Sequence, residues 1–173
     1  MRKPNFQKLW NSFPDHTKYP TLKDLYTSLG GTVEKNIYVP GFGPNGNTCA
    51  SRMSVAFNHA GAPINRAIAS NAGAQTISAE DGSKIIFNIR HFRNYLLKTL
   101  GTPSVDNITP FDDSFRGKKG IICFSVNWSD ATGHIALWNG RTYREPSHDN
   151  YSTYINSSNS NVKTYLSEFW ELS

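Results

Sequence analysis

At 173 residues, the chain has the length of one domain around one hydrophobic core, residues 1–173 forming a single unit. A hydrophobic share of 38% and a charged share of 18% exclude a disordered polymer. The net charge of +5 favours an anionic partner, but the basic residues are scattered, and the absence of a Lys/Arg-rich block argues against nucleic acid.

No apolar run reaches the ~18 residues that a membrane-spanning helix needs. Residues 1–6 also lack the apolar segment of a signal peptide. The expectation is therefore a chain that folds in the cytoplasm and leaves, if it leaves, by a route that reads no cleavable signal. Two cysteines, Cys49 and Cys123, do not make a disulfide framework. Neither CxxC nor HExxH spacing occurs, so no metal or cofactor is expected.

In chain order, Phe6, Leu9, Trp10 and Phe13 have helical spacing. Thr21 is a candidate N-cap for a helix over 22–29 that stops at Gly30-Gly31. Residues 37–39 read as a short extended piece, followed by a Gly/Asn/Pro loop over 41–47. Asn47 or Thr48 then caps a helix that runs from Cys49 to residue 60 and stops at Gly61-Ala62-Pro63. Residues 85–88 read as extended, 88–100 as a helix ended by Gly101, and 103–113 as loop. The C-terminal part changes character. Residues 121–126 predict a strand buried on both faces, 128–132 a turn and 133–138 a second strand. Asn139-Gly140 signals a hairpin returning through 141–145, and 162–172 is either a strand or a short helix. Helices followed by an antiparallel meander make an α+β pattern.

Cys49 follows a Gly/Asn loop and opens a helix. The unpaired N–H groups and positive dipole end there stabilise a thiolate and can receive an oxyanion. Cys123 lies in an apolar strand and reads as structural. A thiol needs a base, normally His. His16 and His148 sit in polar loops, His91 starts a helix in a charged context, and His59 lies on the order of 15 Å from Cys49 along the same helix at about 1.5 Å per residue. His134 is different: it begins a strand after Gly133 and has apolar neighbours. A two-residue turn at 139–140 sets Glu145 opposite or beside His134, where its carboxylate would orient the imidazole. Arg52, one turn after Cys49, either holds a substrate carboxylate or forms a structural ion pair. Asn47 and Trp138 complete the candidate substrate contacts, although the strand face of Trp138 suits core or rim.

The segment Asn47-Thr48-Cys49-Ala50-Ser51-Arg52-Met53-Ser54, with Ala56-Phe57-Asn58 after it, resembles the nucleophile helix of the type VI secretion amidase effectors, family 4. Gly133-His134-Ile135-Ala136-Leu137-Trp138-Asn139-Gly140 is similar to that family's histidine strand and hairpin. The resemblance implies a papain-like, NlpC-type fold. It implies hydrolysis of the amide between γ-D-glutamate and meso-diaminopimelate in peptidoglycan stems, with Cys49, His134 and Glu145 as catalytic residues. It also implies delivery by a type VI apparatus into a rival's periplasm and a cognate immunity protein that plugs the cleft. The family's third residue is generally Asp eleven positions after the His, where this chain has Glu145, and the extra cysteines of several relatives have no counterpart here. Two other readings fit the same residues: a Cys-His acyltransferase or deamidase toxin, and a non-catalytic module that binds cell wall.

Overall fold

The computed structural model describes residues 3–43, 46–107, 112–128 and 133–173. Parts of the expected loops at 41–47 and 103–113, and most of the expected turn at 128–132, lie outside the described residues.

Helix α1 (Phe6–Ser12) starts at Asn5, whose side chain accepts from the Lys8 N–H. Helix α2 (Leu22–Leu29) opens with a full capping box between Thr21 and Asp24. Helix α3 (Gly31–Lys35) follows directly. The extended piece expected at 37–39 does not form: Ile37 N donates to Glu34 O and Val39 N to Asn36 O, which winds the segment into turns. Helix α4 (Cys49–His59) forms where expected. Helix α5 (Arg66–Asn71) and the small ribbon β1 (Ile77–Ser78) with β2 (Lys84–Ile85) come next. Helix α6 (Ile89–Leu100) is capped by Asn88 and ended by Gly101 in a positive-φ conformation. Strand β3 (Val105–Asn107) and helix α7 (Asp112–Phe115) occupy a stretch that reads as loop in the sequence. The chain closes with β4 (Gly120–Val126), β5 (Gly133–Trp138), α8 (Pro146–Asp149) and β6 (Thr164–Glu171), so the ambiguous C-terminal stretch is a strand.

The architecture is α+β, with a four-stranded antiparallel sheet in the order β3-β6-β4-β5. Every residue of β4 and β5 is buried, which explains their unbroken apolar runs. Ile121, Cys123, Ile135, Leu137 and Trp170 face α1, α4 and α6, while Ile122, Phe124, Ala136, Trp138 and Phe169 pack against Phe115 and Tyr143 on the other side. Each large apolar side chain buried this way contributes about 1.5–3 kcal/mol.

Helix α4 is the centre of the helical layer, and residues 49–57 of it are all buried. Its polar side chains are therefore bonded internally. Ser51 pairs with the Tyr26 hydroxyl at 2.9 Å, and the Ser54 hydroxyl donates to a carbonyl while accepting from the Ile86 N–H at 2.9 Å.

Register across β4 and β5 sets Ser125 opposite Gly133 and Phe124 opposite His134. Gly133 has φ +152°, and a Cβ built on it would run into the Phe124 carbonyl oxygen. Only glycine lets β5 dock at this point. Gly133→Ala should therefore destabilise the protein by at least the about 1–3 kcal/mol typical of overpacking. In thermal melts a chain of this size would lose roughly 2–4 °C per kcal/mol. A melt unchanged from wild type would contradict the tight docking.

Candidate active site

Cys49 lies at the first turn of α4 and is 5% exposed. The residue before it, Thr48, is the N-cap but does not cap with its side chain. The Asn47 carboxamide does that work, its Oδ1 accepting from the Cys49 N–H at 3.0 Å. Its Nδ2 reaches the Gly133 carbonyl at 3.4 Å, so one part-buried amide links the loop before Cys49 to the strand that carries His134.

His134, near the start of the outer strand β5, is buried. Its Nε2 lies 2.9 Å from Asp149 Oδ1, and its side chain also hydrogen-bonds with Cys49. With Nε2 engaged by the carboxylate, Nδ1 is the nitrogen left for the sulfur. Burial works against an imidazolium here. The charge of Cys49, the bond to Asp149 and the bond to Cys49 outweigh it, and together push His134 up to about 10. The Tyr151 ring lies tilted over the imidazole at 4.8 Å between centroids, Trp128 packs edge-on against both Tyr151 and Tyr154, and Tyr154 is tilted against Tyr151.

The expected third residue is corrected. Glu145 does not orient His134. Its Oε2 accepts from the His16 N–H at 2.8 Å, and both its oxygens lie 3.0 Å from His16 Nδ1. The reason is the loop after β5. Asn139 Oδ1 accepts from the N–H groups of both Arg141 and Thr142, making a wider turn than the expected two-residue one. The only return pairing among the described residues is a bridge from Trp138 to Tyr143. Pro146 then starts α8, with Glu145 as its N-cap, and one helical turn carries Asp149 back. Asp149 is 2% exposed, and its Oδ2 accepts from the Glu145 N–H at 2.8 Å. Sequence reasoning misses Asp149, although Pro146 is a signal that the strand ends before it.

Two candidate substrate contacts are also corrected. Arg52 is 1% exposed, and its guanidinium donates to Thr48 Oγ1, Pro14 O and Tyr19 O, each at 2.8 Å. It is a buried strut between α4 and the N-terminal segment, with no face left for a substrate carboxylate. Trp138 is buried against Phe115 and Tyr143, and its ring N–H donates to Phe115 O. Asn47 alone of the three is open to a substrate. Cys123 is fully enclosed, and burial, with Glu168 nearby, pushes its thiol far up, in keeping with a structural role.

A buried thiol at a helix start, an imidazole bonded to it, and a carboxylate behind the imidazole form an arrangement suited to nucleophilic acyl transfer. The family model described as Type VI secretion system (T6SS), amidase effector protein 4 matches residues 45–170. No curated protein matches the chain. Among solved structures, the effector Tae4 from Salmonella typhimurium, in complex with the immunity Tai4 from Enterobacter cloacae, is similar at TM-score 0.79 and 30% identity, over 99% of this chain and 100% of that one. The Tae4 of Enterobacter cloacae in its Tae4–Tai4 complex gives TM-score 0.80 and 29% identity over 99% and 100%. The same organism's Tae4 in a structure described without Tai4 gives 0.77 and 29% over 99% and 98%.

The ring of His134 supplies a direct check. Its raised value means that its stabilising contribution is complete below the unfolded value of about 6.5 and is lost as pH rises through about 10. Imidazole NMR should find it still protonated at pH 8. Cys49→Ala and Asp149→Asn should each lower its titration midpoint, whereas Glu145→Gln should shift it far less. A larger shift in Glu145→Gln than in Asp149→Asn would restore the sequence-based assignment.

Proposed function

The chain belongs to the type VI secretion amidase effector family 4, a family of antibacterial peptidoglycan amidases, and on that premise we propose that it is a papain-like cysteine hydrolase of peptide stems. Its bond is the amide between γ-D-glutamate and meso-diaminopimelate. Cys49 is the nucleophile, His134 the acid and base, and Asp149 the residue that orients the imidazole. The observation that carries this reading is the bonded series Cys49–His134–Asp149, with the sulfur at the start of α4.

Each step has a group to perform it. The imidazolium form of His134 is the partner of a thiolate, which attacks the stem carbonyl carbon. The new oxyanion takes the Cys49 N–H, the donor that holds Asn47 Oδ1 in the resting enzyme. Substrate therefore displaces the Asn47 side chain, which can turn its NH2 toward the oxyanion or the stem. His134 gives its proton to the leaving amine as the C–N bond breaks. The neutral ring then takes a proton from water, the hydroxide attacks the thioester, and the sulfur leaves as the thiolate. Asp149 accepts from the opposite ring nitrogen throughout and stabilises the cation at each stage.

The whole chain acts as one catalytic unit in this reading. Arg52 ties α4 to residues 14 and 19, and the Phe6 N–H donates to the Ser173 carbonyl at 3.1 Å, so both ends of the chain belong to the same body as the site. A net charge of +5 suits an anionic wall. The relatives solved with the immunity protein Tai4 support a cognate immunity protein, which in this reading occludes the cleft in the producing cell. Delivery is by the type VI apparatus, and the place of action is the periplasm of the target. No helix among the described residues is long and apolar enough to cross a membrane.

Purified muropeptides incubated with the enzyme and read by mass spectrometry test the reaction. Wild type should release stems cut after γ-D-glutamate. Cys49→Ala should give none, and His134→Ala should fall by about 10²–10⁴-fold in kcat. Intact stems with wild-type protein, or unchanged cleavage by Cys49→Ala, would overturn the proposal.

A further inference from the structure

A second cluster of chemistry-bearing side chains stands behind Asp149 and takes no part in the proposed reaction. His16, from the segment after α1, meets Glu145 and His148, which flank the start and end of α8. One ligand-type atom from each of the three lies within 4.8 Å of the other two. Glu145 is 8% exposed, so its carboxylate is largely withdrawn from water. His148 is exposed and His16 half-buried, which leaves the cluster an open side.

We propose that His16, Glu145 and His148 form a transition-metal site of the zinc class, clamping the N-terminal segment to α8. Two imidazoles and one carboxylate are a donor set that zinc takes with a fourth position left to water. Three donors about 2.1 Å from one ion sit about 3.4 Å from each other in tetrahedral geometry. Both Glu145 oxygens are already 3.0 Å from His16 Nδ1. The His148 ring is stacked on His16 at 3.9 Å between centroids and 7° between planes, so a rotation of this exposed side chain turns a nitrogen into the wedge. Glu145 and His148 have the i, i+3 spacing by which a Glu-x-x-His pair presents two ligands to one ion.

The surroundings choose among cations. Arg52 is close enough for its charge to be felt at His16, and it opposes any cation. Magnesium and calcium, bound mainly through charge and oxygen, are therefore disfavoured. An ion that bonds strongly to imidazole nitrogen can still bind, with micromolar rather than nanomolar affinity. The third ligand, His16, stands at the far end of the sequence from Glu145 and His148, which is why the sequence shows no complete metal motif.

The thiol, imidazole and carboxylate of the active site can themselves take zinc, so calorimetry should use full-length Cys49→Ala protein. Zinc chloride should bind that protein once with micromolar affinity and raise its melting temperature by a few degrees, while magnesium chloride does neither. Adding His148→Ala should weaken zinc by at least about tenfold, since even outer-shell partners are worth about 10–100-fold. Glu145→Gln should weaken it as well, with circular dichroism reporting that each variant is folded. No zinc binding by Cys49→Ala, or equal binding with and without His148, would overturn the site. Hydrolysis is not measured, so the outcome does not depend on the proposed reaction.

Discussion

The docking of β5 on β4 at Gly133 is the constraint from which the geometry of the candidate active site follows. The Phe124 carbonyl takes the space that a side chain at Gly133 would need, so the strand closes on the sheet one residue before His134. That contact fixes where the imidazole leaves the backbone. Helix α4 packs on the same sheet, with Ala50, Met53, Ala56 and Phe57 in one cluster with Ile135 and Leu137. Sulfur and imidazole therefore meet because two rigid elements share one core, and the loops between them need only be long enough to connect.

Burial of the pair has an electrostatic consequence. An imidazolium alone in this position would be costly, and desolvation does pull His134 down. What reverses the sign is Cys49 on one side of the ring and the Asp149 carboxylate on the other. Arg52 illustrates the same rule with a different solution. Its guanidinium is buried as well, and three neutral oxygens satisfy it in a fixed geometry.

Cys49 and His134 are legible in the sequence because their signals are local: a Gly/Asn loop before a capped helix, and a Gly-His step at the head of an apolar strand. Helices α1, α2, α4 and α6 are legible for the same reason, through spacing and capping residues. What depends on long-range contact is not. Arg52 looks like a substrate clamp until the carbonyls of Pro14 and Tyr19 are seen against it. Residues 37–39 have extended-type side chains, but the N–H groups of Ile37 and Val39 find carbonyls three residues back. Glu145 is misplaced because Asn-Gly normally makes a two-residue turn, whereas here the Asn139 side chain caps two successive amides and shifts the return.

That shift also explains how an acid fifteen residues beyond the histidine can stand where eleven is expected. A strand-borne carboxylate depends on register, and the wider turn spoils the register. A carboxylate at the end of a single helical turn depends only on its own cap: Asp149 Oδ2 is held by the Glu145 N–H, and Oδ1 is thereby aimed at His134. Glu145 supplies the backbone for this bond, and its side chain is left to secure His16 from the far end of the sequence. The position that a register argument sets against the imidazole thus acts on it indirectly, by fixing the residue that touches the ring.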